Sequence, residues 1–434
     1  MSGAPGVERV YPASYQQESI WLDDLVCGGQ SRCLESLVYR LTGQLDIGAI
    51  EWAVNQVIAR HEILRSRLTA PDSKVMQIVT TPASVPLAQV SCTPAELAAE
   101  VMRIAAEPLD LDETPLRPWL ICLSPNEFVL VMQFHHAVVD DWALDVFQRE
   151  LTHLYTSRVL GRPSSLRPLP MQAGDFAIAQ RAARIDPTDL AYWRERVVSA
   201  PERCAIPTDC LGPEELPHCG GQQLFEVGPG LGHAVRVLSR ARRTTPYSVF
   251  AAAMAVLLWE YGDNKTVIFG TPVSQRGTGA VDSMICCLSE VFPLRLAVFR
   301  EISFSELVEA AKGEVIGTLE HRSVPRSELV RMTGLAGDAD VPSLCNVVLV
   351  VDDMRWEPLL LPGITAERIY VQPRWAKFDM MLTLVAGDDG GYAGFCDYDA
   401  DIYHADTMTR AASRFTTLLA RLLAGADEHL AQVV

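Results

Sequence analysis

Apolar positions along the chain switch between a three-to-four-residue spacing and short unbroken runs, so helices and strands follow one another. Residues Ile47–Arg60 place Ile50, Val54, Val57 and Ile58 on one helical face. Glu127–Phe134 (EFVLVMQF) has the β-branched and aromatic content, and the length, of a strand. Trp142–Tyr155 returns to helical spacing through Leu144, Phe147, Leu151 and Leu154, so a turn joins the strand to a helix. From Val159 to Pro170 periodicity is lost among prolines, and Ala200–Gly230 reads as a second irregular stretch. Alternation then resumes. Pro246–Tyr261 predicts an alanine-rich buried helix, Thr266–Gly270 a short strand and Phe304–Leu319 a helix. Cys345–Val351 is predicted as a strand buried on both faces from its apolar run, unbroken from Val347 to Val351. Phe378–Val385 and Tyr392–Tyr398 flank Gly387-Asp388-Asp389-Gly390-Gly391, which predicts a hairpin, and Asp406–Leu423 predicts an amphipathic closing helix. An α/β pattern given twice predicts two sandwich-like halves of related architecture, residues 1–170 and 171–434.

At 434 residues, two domains are also the expectation from length. Hydrophobic residues make up 49% and charged residues 21%, which excludes a disordered chain. The net charge of -17 speaks against non-specific nucleic-acid binding, while leaving room for a basic patch that docks an acidic protein. Eleven cysteines are scattered with no C-x-x-C spacing, and the adjacent Cys286-Cys287 is not a metal-ligand spacing; reduced, mostly buried thiols are expected. The segment MSGAPGVERV lacks the apolar core of a signal peptide, and the apolar stretch around Val249–Trp259 is too short to cross a bilayer. A cytoplasmic protein without membrane contact is the expectation.

The chemistry concentrates in His135-His136-Ala137-Val138-Val139-Asp140-Asp141. Successive strand residues point to opposite faces, so one histidine of the pair faces any given cleft. Neutral imidazole is the side chain best suited to accept a proton near pH 7. Three plainer readings stand beside catalysis: a satisfied core histidine, a metal ligand, and an aspartate N-cap for the helix at Trp142. Adjacent residues rarely chelate one ion and no third ligand is near, so no metal site is expected. The segment alone leaves catalysis and core packing open.

Six further segments, in order, carry a resemblance. Ser14–Trp21 (SYQQESIW), Arg60–Ser66 (RHEILRS), Asp175-Phe176-Ala177 with Tyr192-Trp193, Gly270-Thr271-Pro272 with Arg276, Pro293-Leu294-Arg295, and His321–Pro325 leading to Glu328-Leu329-Val330 accompany the histidine segment. Together they resemble the condensation domains of nonribosomal peptide synthetases, whose core motif is HHxxxDG. The resemblance covers nearly the whole chain. It implies an α/β fold of two chloramphenicol-acetyltransferase-like subdomains forming a V with a central tunnel. It also implies transfer of an acyl or aminoacyl group from a carrier protein's 4'-phosphopantetheine thioester to an amine or alcohol acceptor. An acyl- or peptidyl-carrier protein and a small-molecule acceptor are then the partners, with no intrinsic cofactor. His136 is the implied catalytic residue, as proton acceptor or as the group that positions the nucleophile. His135, Asp140 and Arg276 are implied supports of its loop, with Asp140 pairing to Arg276. Arg60 and His61 are expected to brace the first half.

Two departures mark this chain. Asp141 stands where the family has glycine; aspartate tolerates a left-handed backbone, and its carboxylate reads as attracting a cationic acceptor, orienting His136 or capping the helix. Glu290-Val291 replaces the family's Asn-Thr, which points to Glu290, with Trp142, as residues of the substrate channel. The chain looks free-standing, since no adenylation or carrier-serine motif occurs in it. Two other readings remain: a silent module that recruits a partner enzyme, because recruiting members end their core in Asp-Asp but lose the second histidine, and a coenzyme-A-dependent acyltransferase.

Overall fold

The strand read from EFVLVMQF runs over Glu127–His135 and is buried along nearly all its length. Its alternate residues serve two faces. Phe128, Leu130, Met132 and Phe134 join Leu37, Tyr39 and Leu41 in a core under the helices Ile47–Arg60 and Asp141–Val159. Val129 and Val131 join Val38 and Ile121 in a second core with Val101 and Ile104 of the helix Leu97–Ala105. Helices therefore cover both faces, which is why the strand shows no polar alternation. Phe134 and Phe147 meet edge to face with ring centres 5.1 Å apart, fixing the strand against the helix that follows the histidine turn.

The computed structural model describes residues 9–28, 32–197, 204–213, 218–262, 265–277, 279–333, 344–353 and 357–434. The chain divides into two compact units. The first contains Met1–Arg184, Arg276–Ser289 and Trp356–Val371; the second contains Ile185–Gln275, Glu290–Arg355 and Gln372–Val434.

In the first unit a five-stranded sheet has the order Ile364–Ile369, Leu34–Gly43, Glu127–His135, Leu116–Ser124, Ala88–Ser91. Neighbours are antiparallel except for the last pair, which is parallel. Leu34 pairs with His135, so the first histidine closes the ladder. In the second unit the order is Ser289–Ala297, Thr266–Ser274, Val347–Asp352, Met380–Ala386, Tyr392–Asp399, Gly220–Val227. Val347–Asp352 lies between two parallel neighbours, the setting its unbroken apolar run predicts. The expected hairpin is present: Ala386 pairs with Tyr392, and the Gly387 N–H donates to the Gly391 carbonyl at 2.9 Å. Gly390 turns at φ +86°, a backbone that favours glycine. The helix Pro246–Tyr261 is buried from Ser248 through Leu258, as its alanine-rich run predicts.

The strand Gly220–Val227 lies inside the stretch expected to be irregular. Its sequence GGQQLFEV is polar because it is an edge strand, paired in the sheet with Tyr392–Asp399 and leaving Leu224 59% exposed. Part of that stretch, 200–203 and 214–217, lies outside the described residues. Among the described residues no helix is long and apolar enough to cross a membrane.

Candidate active site

The strand Glu127–His135 delivers the two histidines in different environments. The His135 N–H donates to the Pro115 carbonyl at 2.8 Å, and the His136 N–H to the Cys33 carbonyl at 2.7 Å. The His135 side chain is fully buried, whereas that of His136 is 28% exposed. Of the pair, only His136 meets solvent. Its Nδ1 lies 2.7 Å from the Val139 carbonyl oxygen. A carbonyl only accepts, so Nδ1 carries the proton and the neutral ring keeps its lone pair on Nε2. In the neutral form the turn therefore leaves the ring's lone pair on Nε2. Glu35, on the neighbouring strand Leu34–Gly43, places Oε1 3.9 Å from the same Nδ1. Nothing in the sequence pattern marked Glu35; its position follows only from the pairing of Leu34 with His135.

Asp140 caps the helix Asp141–Val159, Oδ1 accepting from the Ala143 N–H at 2.8 Å. The same carboxylate accepts from Arg276 Nη2 at 3.2 Å, the Leu288 N–H at 2.9 Å and the Ser289 hydroxyl at 3.2 Å. Arg276 also donates to the carbonyls of Val281, Met284 and Cys286 at 2.6, 3.0 and 2.9 Å. Both side chains are buried, at 2% and 3% exposure. The pair ties the segment 276–289 to the turn after His136. Trp142 adds a second tie, its Nε1–H donating to the Asp282 carbonyl at 2.8 Å. Burial pushes the Cys286 thiol up to about 12 despite the nearby Arg276 charge, so this cysteine stays protonated and is no nucleophile.

Asp141 is the first residue of the helix and is exposed. The capping hydrogen bond belongs to Asp140, one residue before the aspartate whose cap role was in question. The carboxylate of Asp141 instead meets the positive end of the helix dipole. Among the described residues the non-glycine positions with positive φ are Asp72 and Arg243. Position 141 therefore needs no left-handed backbone, and replacing the family's glycine with aspartate introduces no strain there. Glu290 belongs to the second unit, where Oε1 accepts from the Arg326 N–H at 3.0 Å at the start of the helix Arg326–Met332. Also there, Trp193 Nε1–H donates to the His321 carbonyl at 2.8 Å and the Tyr192 ring stacks on His321 at 4.1 Å.

Arg60 and His61 converge on one carboxylate. Arg60 Nε and His61 Nε2 each lie 2.9 Å from an oxygen of Glu150. His61 Nδ1 accepts from the Ile285 N–H at 3.3 Å, so His61 braces the segment 276–289 rather than facing solvent. Burial works to raise the Glu150 carboxyl, but the hydrogen bonds from His61 and Arg60 outweigh it and its pKa lies below the ordinary value. A depressed folded pKa stabilises the fold above the unfolded value and loses that stabilisation as pH falls through the folded one. Thermal melts of the wild type and Glu150→Gln are therefore expected to differ most near neutral pH. The difference should narrow below pH 4.5. A gap that stays constant down to about pH 3 would contradict this linkage.

The family model described as "Condensation domain" matches residues 7–434. A curated relative is the probable non-canonical nonribosomal peptide synthetase CymA of Salinispora arenicola, 28% identical over 435 residues, which covers 98% of this chain and 6% of that protein. This chain thus spans a small part of the length of such relatives. Among solved structures, the X-domain from teicoplanin biosynthesis superposes with a TM-score of 0.89 at 25% identity, covering 100% of this chain and 99% of the other. The complex of that X-domain with OxyB gives 0.87 at 24% identity, covering 100% and 97%. The first condensation domain of the CDA synthetase gives 0.84 at 19% identity, covering 98% and 99%. The fold is the chloramphenicol-acetyltransferase-like fold of these domains. By its sequence over nearly the whole length, this chain belongs to the condensation-domain family of nonribosomal peptide synthetases.

Proposed function

We propose that this protein is an acyltransferase that moves an acyl or aminoacyl group from a carrier protein's phosphopantetheine thioester onto an amine or alcohol, forming an amide or ester. The observation that carries the proposal is the His136 ring, partly exposed and hydrogen-bonded through Nδ1 to the Val139 carbonyl at 2.7 Å. The phosphopantetheine arm is substrate here, presented by the partner. As the nucleophile attacks the thioester carbonyl carbon, Nε2 of His136 accepts or steers its proton. The carbon–sulfur bond then breaks, and the proton passes to the departing sulfur, leaving a free pantetheine thiol and the new amide or ester. Such a positioned base accelerates a reaction by about 10²–10⁴-fold, and holding both substrates together removes much of the entropic barrier. Glu35 places a carboxylate oxygen 3.9 Å from Nδ1 of the same ring.

A second reading, recruitment of a partner enzyme, is favoured by Asp140-Asp141 and by the likeness to an X-domain that has been captured with OxyB. Retention of His136 supports catalysis instead. The test is incubation with a loaded carrier protein and a panel of amines and alcohols, read by mass spectrometry. The acyltransferase reading expects a new amide or ester, with the loaded carrier exceeding the same acyl group on coenzyme A in kcat/KM. Equal use of coenzyme A would reject the carrier as donor. Failure to form product with every acceptor would favour recruitment. Asp141→Gly is expected to change acceptor preference if the exposed carboxylate draws a cationic acceptor, and to leave it unchanged if the carboxylate serves only the helix.

A further inference from the structure

The first histidine has its own carboxylate. His135 is fully buried, and its Nδ1 lies 3.2 Å from the Ala137 backbone N–H. That N–H only donates, so Nδ1 accepts and the ring proton sits on Nε2. Nε2 in turn lies 3.7 Å from Oδ2 of Asp24, a residue 9% exposed on the helix Tyr15–Val26. The contact is longer than a hydrogen bond and electrostatic in kind, and burial leaves it poorly screened. His135 Nε2 and Asp24 Oδ1 have no hydrogen-bond partner among the described residues. The opposite tautomer would turn a lone pair toward the carboxylate and an N–H toward the Ala137 N–H, two repulsions at once.

We propose that Asp24 is a positioning residue: together with the Ala137 N–H it selects the Nε2–H tautomer of His135, which holds that N–H and so fixes the peptide that carries His136. This rests on the reading that His136 performs the transfer. The helix bearing Asp24 is itself fixed, Ser14 and Gln17 forming a reciprocal cap at its start and Glu18 accepting from Arg181 Nη2 at 2.6 Å. The segment SYQQESIW thereby acquires a task, that of delivering a carboxylate to the buried histidine.

The test uses the full chain with ¹⁵N-labelled histidine, in which long-range ¹H–¹⁵N spectra report each ring's tautomer and His135→Gln identifies the His135 signals. The wild type is expected to show His135 entirely as the Nε2–H form, and Asp24→Ala, which leaves only the Ala137 N–H to set the tautomer, to show a measurable share of the Nδ1–H form. In the transfer assay Asp24→Ala is expected to lower kcat by about tenfold to a hundredfold while KM for the loaded carrier changes by less than about twofold. Asp24→Asn, which keeps an acceptor oxygen, is expected to recover both the tautomer and most of kcat; it also serves if the alanine variant fails to fold. A wild-type tautomer that persists in Asp24→Ala, or an unchanged kcat, overturns the proposal. Should the wild type transfer nothing, the reading of His136 fails, and the tautomer spectra still decide what Asp24 does.

Discussion

His136→Ala is expected to lower acyl transfer by about 10²–10⁴-fold while lowering the melting temperature by no more than about 4 °C. The two halves of that expectation come from different parts of the geometry. The ring is partly exposed, and the hydrogen bond from Nδ1 to the Val139 carbonyl is worth about 1 kcal/mol of net stabilisation. The backbone grip on the loop survives, since the His136 N–H to the Cys33 carbonyl and the Asp140 cap do not involve the ring. Chemistry loses the one lone pair that the turn presents on Nε2. A variant that melts normally and transfers at the wild-type rate would remove His136 from the mechanism.

The largest effect on stability is expected at Arg276 and Asp140. Arg276→Leu leaves a carboxylate buried with three neutral donors and no countercharge; breaking such a pair costs about 3–5 kcal/mol. Asp140→Ala removes the countercharge of a guanidinium still bound to three carbonyls. It also removes the cap of the helix Asp141–Val159, so it should exceed Arg276→Leu by about 1 kcal/mol. Urea unfolding followed by circular dichroism measures both. Losses below about 1 kcal/mol would mean that the pair is not what holds the segment 276–289 to the histidine turn. Transfer should fall in both variants, because His136 shares the turn that Asp140 anchors.

Much of this was legible in the residues. The helix Ile47–Arg60 and the buried helix Pro246–Tyr261 show the limits their apolar spacing predicts, because each buries a face or a circumference defined locally. The central strand Val347–Asp352 and the glycine-rich hairpin were visible for the same reason. The strand Gly220–Val227 was not, since an edge strand with a polar run carries no apolar signature. Nor was the strand Ile364–Ile369, which joins the first unit's sheet beside Leu34–Gly43 from far along the chain. Site residues divide in the same way. The histidine segment announces itself by composition. Glu35 and Asp24 reach it only through strand register and helix packing, which no local pattern encodes. Asp141 proved unstrained and exposed, a fact that depends on the backbone at the start of the helix rather than on the residue type.

The role of His136 is decided by a single-turnover time course of wild type and His136→Ala, each mixed with the same loaded carrier protein and an accepted nucleophile. Free pantetheine thiol and the new amide or ester are followed together. Thiol and product are expected to appear in equal amounts with the wild type, and both to slow by about 10²–10⁴-fold in the variant. Equal rates in the two proteins, or thiol released without product in the wild type, would contradict this expectation.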